Sequence, residues 1–238
     1  MTIPTEQIPF NGAPVIPEAG KIHQPVVLML DTSESMGWNK GGSSLPIDEL
    51  NAGVRAFLQS WSDHEIGKVV DIAVVEFDCN AKIVQGFQSA ASINALPPFT
   101  AIGTTALGAA LNLSLDLIED YKGRLHASGT EYHRPWIVCI TDGTPTDLNV
   151  VAGATQRLRA MESRRGVVGY CVGVEGFDAG KMAEIFEKEN ILVLKNYNFN
   201  ALFEFLHNSI VEVSQPDGGT EVQVSLPDDV RPQFTVHR

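Results

Sequence analysis

The chain has 238 residues, 44% of them hydrophobic and 19% charged, a composition that suits one folded domain with a sizeable core and excludes a disordered chain. Lys and Arg number 17 against 29 Asp and Glu, and the resulting formal charge of -12 repels nucleic acid and anionic lipid, so neither is expected as a partner. No apolar run reaches the roughly eighteen residues a spanning helix needs, so no membrane segment is expected.

The chain opens with a proline-containing stretch, residues 1–24, that shows no periodicity and reads as an extended arm. Its first residues have neither a basic nor an apolar signal region, and no secretory leader is expected. PVVLMLD (25–31) is a continuous apolar run, as in a central strand covered on both faces. From Pro46 the apolar residues Leu50, Val54, Phe57, Leu58 and Trp61 recur at helical spacing, which places Trp61 in the core. VVDIAVVEFD (69–78) reads as a strand and AKIVQ (81–85) as a short second arm of a hairpin. Residues 86–104 read as a loop ending in IGTT, followed by a helix over 106–121.

PWIVCITD (135–142) is another buried strand. A helix is predicted over 147–165, with Asp147 as its N-cap. Then come a strand (166–175), a short helix (179–189), a strand (191–195) and a closing helix (200–214). GGTEVQVSLP, inside the tail 215–238, alternates like one extra strand. Strands alternating with helices predict an α/β fold: a doubly wound, mostly parallel sheet of six strands, one antiparallel edge strand, and helices on both faces.

The three cysteines (Cys79, Cys139 and Cys171) form no CxxC pair and lie in or beside apolar runs; buried reduced thiols and a cytoplasmic location are expected. The six histidines are scattered and are read as non-ligands. Glu119 and Asp120 are read as a solvated helix face, and the Arg-rich end near 164–166 as a helix terminus.

In an open α/β sheet, ligands bind at the carboxyl ends of strands. Three segments bring oxygen side chains there: Asp31, Ser33 and Ser35 after the first strand, Thr104 and Thr105 before a helix, and Asp142 after PWIVCIT. Carboxylates and hydroxyls without His or Cys suit Mg²⁺ or Mn²⁺ rather than zinc or copper. Taken singly, each of these residues has a plainer reading: Asp31 and the serines as turn formers, Thr104 as a helix cap, Asp142 as an Asp-Gly turn.

Asp31-Thr32-Ser33-Glu34-Ser35, with Thr104 in GTT and Asp142 in ITDG, resembles the metal-ion-dependent adhesion site (MIDAS) of von Willebrand factor A domains. The resemblance spans about residues 25 to 214. It implies a sheet in the order 3-2-1-4-5-6 and a metal held by Asp31, Ser33, Ser35, Thr104 and Asp142. It also implies a protein partner that supplies an acidic residue to that metal. MLDTSESMG, LPIDELNAGVRAFL and RPWIVCITDGTPTD further resemble bacterial tellurium-resistance-associated proteins of the TerY and YegL type. That similarity implies a cytoplasmic adaptor working with a PP2C-like phosphatase or a kinase-like protein.

Met36, Trp38 and Thr105, beside the cluster, are the expected partner-binding residues. An enzyme is not expected. A Mg²⁺-dependent phosphohydrolase would want a second carboxylate two residues after Asp31, where Ser33 stands. GxSxG and P-loop motifs are both missing. A structural subunit with a merely stabilising metal is the other alternative.

Overall fold

A computed structural model describes residues 20–39, 44–174, 177–214 and 226–233. The strands are β1 (Gln24–Asp31), β2 (Val70–Phe77), β3 (Ala81–Ser89), β4 (Trp136–Thr141), β5 (Val168–Val174), β6 (Ile191–Leu194) and β7 (Val230–Pro232). The helices are α1 (Pro46–Gln59), α2 (Leu107–Ala127), α3 (Leu148–Ser163), α4 (Ala179–Ile185) and α5 (Phe199–Val213). The sheet runs in the order β3-β2-β1-β4-β5-β6-β7. Its interior pairs are parallel, while β3 on β2 and β7 on β6 are antiparallel.

The expected doubly wound sheet is present, with seven strands in place of six and two antiparallel edges in place of one. The seventh strand is a three-residue segment of which Arg231 and Pro232 are exposed, so it carries no apolar signature. The extra strand expected within GGTEVQVSLP falls almost wholly outside the described residues, as do residues 1–19 of the arm.

β1 and β2 are buried along their whole length because helices cover both faces. Successive side chains go to opposite faces. Val26, Leu28 and Leu30 meet α1 and α5 through Leu50, Val54, Phe57, Phe199 and Phe203. Val27 and Met29 meet α2 and α3 through Leu107, Leu111, Leu115 and Leu158. Trp61 is fully buried, as its spacing implies.

Some expectations are corrected. Helix α2 runs six residues past Tyr121, to Ala127, through a polar stretch whose buried Leu125 keeps the helical register. β3 extends to Ser89 where a loop was expected, with register irregularities around Val74 on its partner that re-aim the edge. Cys79 is exposed in the turn after β2, whereas Cys139 and Cys171 are buried and sit side by side on β4 and β5. The arginines do not merely end a helix: Arg157 of α3 and Arg164 just after it reach Asp116 and Glu119 of α2.

The chain reverses its direction of winding between β1 and β4: β2 flanks β1 on one side and β4 flanks it on the other. That switch point opens a crevice at the carboxyl ends of β1 and β4.

Candidate metal centre

Asp31 is the last residue of β1, opposite Phe77 of β2 and beside the end of β4, where Leu30 pairs with Ile140. Its carboxylate is fully buried. The Ser33 N–H donates to Asp31 Oδ1 at 2.8 Å, which closes an Asx turn as the strand ends. Thr141, the last residue of β4, donates its hydroxyl to Asp31 Oδ2 at 2.5 Å. The chain after Asp31 then enters a short 3₁₀ turn, Glu34–Gly37. This turn holds Ser33 Oγ and Ser35 Oγ 3.2 Å apart, and Ser35 Oγ donates to Asp142 Oδ1 at 2.7 Å. Segments more than a hundred residues apart thus join through one carboxylate–hydroxyl chain.

The third segment is the loop that enters α2. Gly103 sets its course: its φ is +76°, and a Cβ there would lie 2.5 Å from Cys79 Sγ, so only glycine fits. Gly103 O accepts the Glu34 N–H at 3.1 Å, and the Ile102 N–H donates to Thr32 O at 2.8 Å, which docks this loop on the β1 turn. Thr105 is fixed against the β4–α3 loop: its carbonyl accepts the Thr146 N–H at 2.9 Å and its N–H donates to Thr146 Oγ1 at 3.2 Å.

Gly143 faces the centre of the cluster. A Cβ added there would lie 3.1 Å from Thr105 Oγ1 and 3.7 Å from Asp31 Oδ2. The space between those two oxygens is therefore kept open by the absence of a side chain. Thr105 is buried and Thr104 is exposed. Of the two adjacent threonines, Thr105 sets its hydroxyl beside Gly143 in the cluster, whereas Thr104, the expected ligand, is exposed; Thr105 is buried, which does not suit the partner-facing role first expected of it.

Met36 is corrected as well. It is fully buried in the core with Leu50 and Val54, because the 3₁₀ turn points it beneath the site; it cannot line a docking face. Trp38 is 57% exposed at the rim, where the sequence places it. Asp147 occupies the N-cap position of α3, but its carboxylate caps a different helix, accepting from Gly108 N at 3.1 Å and Ala109 N at 2.8 Å in the first turn of α2. Sequence reasoning missed Thr141 and Gly143. The first reads as one more strand residue; the second stands in the Asp-Gly pair that has a plain turn reading.

Burial pushes the Asp31 carboxyl up to about 6; nearby Asp142 adds to the rise, while hydrogen bonds from Ser33 and Thr141 oppose it. Two carboxylates are thus held together, one of them buried, with hydroxyls around an open space. Such a set fits a hard divalent cation, whose charge would relieve both the burial and the mutual repulsion. Among the described residues no three His, Cys, Asp or Glu side chains cluster, so the donors here are two carboxylates and the hydroxyls of Ser33, Ser35 and Thr105.

Three of the described histidines lie elsewhere. His23 pairs with buried Asp71 at 2.7 Å near the start of the sheet. His64 and His207 pack edge-on or tilted around Trp61. None of these three imidazoles stands in the cluster.

The von Willebrand factor type A domain profile matches residues 26–144, half of the chain. The chain belongs to the von Willebrand factor type A domain family. Among curated proteins none matches significantly. Solved structures share the fold at low identity. Proximal thread matrix protein 1 (PTMP1) from the mussel byssus, in a form with a zinc-occupied MIDAS motif, is 20% identical over 80% of this chain and 45% of its own, with a TM-score of 0.54. The pilus adhesin SpaC from Lactobacillus rhamnosus GG is 15% identical over 83% of this chain and 31% of its own, with a TM-score of 0.65. A von Willebrand factor type A protein from Catenulispora acidiphila is 17% identical over 81% and 42%, with a TM-score of 0.56. The chain spans less than half the length of each of these three.

Proposed function

We propose that this chain is a non-catalytic protein-interaction module whose centre holds Mg²⁺ or Mn²⁺ through Asp31, Ser33, Ser35, Thr105 and Asp142. The cation leaves one position for an acidic residue of a protein partner. The observation that carries the reading is geometric: Asp31, fully buried, and Asp142 belong to one carboxylate–hydroxyl cluster with Ser33 and Ser35, and Gly143 leaves open the space before Thr105 Oγ1 and Asp31 Oδ2. A buried carboxylate in that state is costly, and a bound dication is the economical remedy.

Hard oxygen donors favour Mg²⁺ or Mn²⁺ over zinc, even though the mussel byssus protein carries zinc at its MIDAS motif. We do not read the site as hydrolytic, because a phosphohydrolase of this type would want a carboxylate two residues after Asp31, where Ser33 stands. The finer proposal is a cytoplasmic adaptor in a bacterial stress or phosphorylation-linked pathway such as tellurium resistance, paired with a PP2C-like phosphatase or a kinase-like protein. It rests on the resemblance of residues 29–37, 45–58 and 134–147 to TerY and YegL-type proteins.

The test is a tagged pull-down run in Mg²⁺ and in EDTA, with the wild type and Asp31→Ala. A partner held by the wild type in Mg²⁺ alone, and lost by the variant, supports the reading. A partner held equally in EDTA contradicts it.

A further inference from the structure

A cavity of about 600 Å³ lies between helix α5 and the sheet. It sits toward the amino ends of the strands, since the first residues of β1 and β4, Gln24 and Trp136, both line it. The carboxylate–hydroxyl cluster stands at the opposite ends of those two strands. Trp136, Val138, Tyr170 and Val172 form the sheet wall, and Phe205 and Leu206 of α5 face them. A cavity of that size is large enough to take a ligand or a short peptide segment. Trp136 and Tyr170 are half-buried, and their rings meet edge to face with centroids 5.4 Å apart, so the wall is aromatic.

Gln24 marks the cavity as a place where something binds. Its side chain is fully buried. Its Nε2 donates to Pro25 O at 3.1 Å and to Arg134 O at 3.2 Å. Its Oε1 is buried and accepts no hydrogen bond among the described residues. A buried acceptor left open is costly, which calls for an N–H or O–H donor that enters the cavity.

Position, composition and charge select the donor. Residues 1–19 join the described chain at Gly20, four residues before Gln24, and Ile22 between them is an exposed hydrophobic residue. Prolines stand at 4, 9, 14 and 17 of that arm, and its last apolar run is PVIP (14–17). Proline-containing extended segments dock on aromatic-lined grooves. Extended in that way, four residues span about 12 Å. The cavity reaches from β1 past β4 and β5 to Leu192 of β6, three strand spacings or about 14 Å. Val15 and Ile16 keep the N–H groups that Pro14 and Pro17 lack. Residues 1–19 carry Glu6 and Glu18 and no Lys or Arg. The cavity is lined by Arg134 and Arg165 against the one acid Glu189, a basic spot on a chain of formal charge -12.

We infer that the cavity beneath α5 is a docking site for the chain's own segment PVIP (14–17). A Val15 or Ile16 N–H goes to Gln24 Oε1, the apolar side chains go to Trp136 and Tyr170, and Glu18 goes to the arginines. The arm is then part of the domain, and this site is separate from the metal centre and independent of it.

The test is hydrogen exchange of the full chain, read at the Val15 and Ile16 amides against an end-capped peptide of residues 7–19. Docking is expected to slow both amides at least about tenfold relative to the peptide. Leu192→Trp fills the cavity from a half-buried position and is expected to return both amides to the peptide rate, with the circular dichroism of the wild type. Arg165→Glu, at an exposed position, is expected to lower the protection about threefold. Exchange at the peptide rate in the wild type overturns the inference. So does protection that survives Leu192→Trp, because the arm then rests elsewhere. Protection that rises with protein concentration also overturns it, because a second copy then supplies the arm. Should Leu192→Trp fail to fold, Arg165→Glu decides in its place, and unchanged protection there overturns the inference.

Discussion

Replacing Asp31 with Asn should stabilise the protein when no metal is present. The carboxyl rises from 3.8 to about 6 on folding, which amounts to about 3 kcal/mol of cost carried by the ionised form at neutral pH. The direction follows from the titration. Well below pH 4 the carboxyl is protonated in both folded and unfolded chains, and the cost is absent. It builds as pH rises between about 4 and 6, while the unfolded chain is ionised and the folded one still holds its proton, and it is constant above.

Asparagine removes the charge and keeps the shape. Its amide oxygen can accept from the Ser33 N–H, and its amide nitrogen can donate to Thr141 Oγ1. A second amide hydrogen is left to find an acceptor, which returns roughly 1–2 kcal/mol of the gain. The expected net stabilisation in EDTA at pH 7.5 is therefore about 1–2 kcal/mol, read by urea denaturation. At pH 4 the advantage should disappear. With Mg²⁺ at a hundred times its Kd the wild type gains about 2.7 kcal/mol and Asp31→Asn does not, so the order reverses. A variant less stable than the wild type in EDTA at pH 7.5 would refute the reasoning. It would mean that Asp31 is already well stabilised by its protein neighbours and does not need a cation.

Other perturbations separate the scaffold from the site. Gly143→Ala puts a Cβ 3.1 Å from Thr105 Oγ1, so Mg²⁺ affinity measured by calorimetry should fall at least about tenfold while circular dichroism stays that of the wild type. Met36→Ala should cost about 2–5 kcal/mol in urea denaturation, as for a core residue, and should leave the partner surface intact. Gly103→Ala should destabilise by roughly 1–3 kcal/mol, since its φ of +76° and the nearby Cys79 Sγ both exclude a side chain. His23→Ala should cost about 3–5 kcal/mol near neutral pH, because it strips buried Asp71 of the imidazole 2.7 Å away. Burial pushes Asp71 up and His23 pulls it down, so the loss should lessen as acidification protonates the carboxyl.

The doubly wound sheet was legible because β1, β2 and β4 are buried on both faces and must be apolar throughout. β7 was not, because three residues paired at an edge, two of them exposed, need no apolar pattern. Asp31, Ser33, Ser35 and Asp142 could be picked out because they stand at strand ends in a fold whose ligands bind there. Three things escaped. Adjacent Thr104 and Thr105 differ only in which way the chain turns after Gly103. Met36 sits in a polar stretch, and a 3₁₀ turn, which pattern reading does not foresee, carries it inward. The Asp147 carboxylate caps a helix that begins forty residues earlier, so its partner is set by the close approach of α2 and α3, where a Cβ on Gly108 would lie 2.5 Å from Val151 N.

The measurement that bears most directly on the account is a calorimetric titration of Mg²⁺ into the metal-free protein, repeated with Asp31→Ala and with Thr105→Val and Thr104→Val. The account predicts one saturable site in the wild type that is absent in Asp31→Ala, weakened in Thr105→Val and unchanged in Thr104→Val. No binding by the wild type, or equal binding by Asp31→Ala, would contradict it.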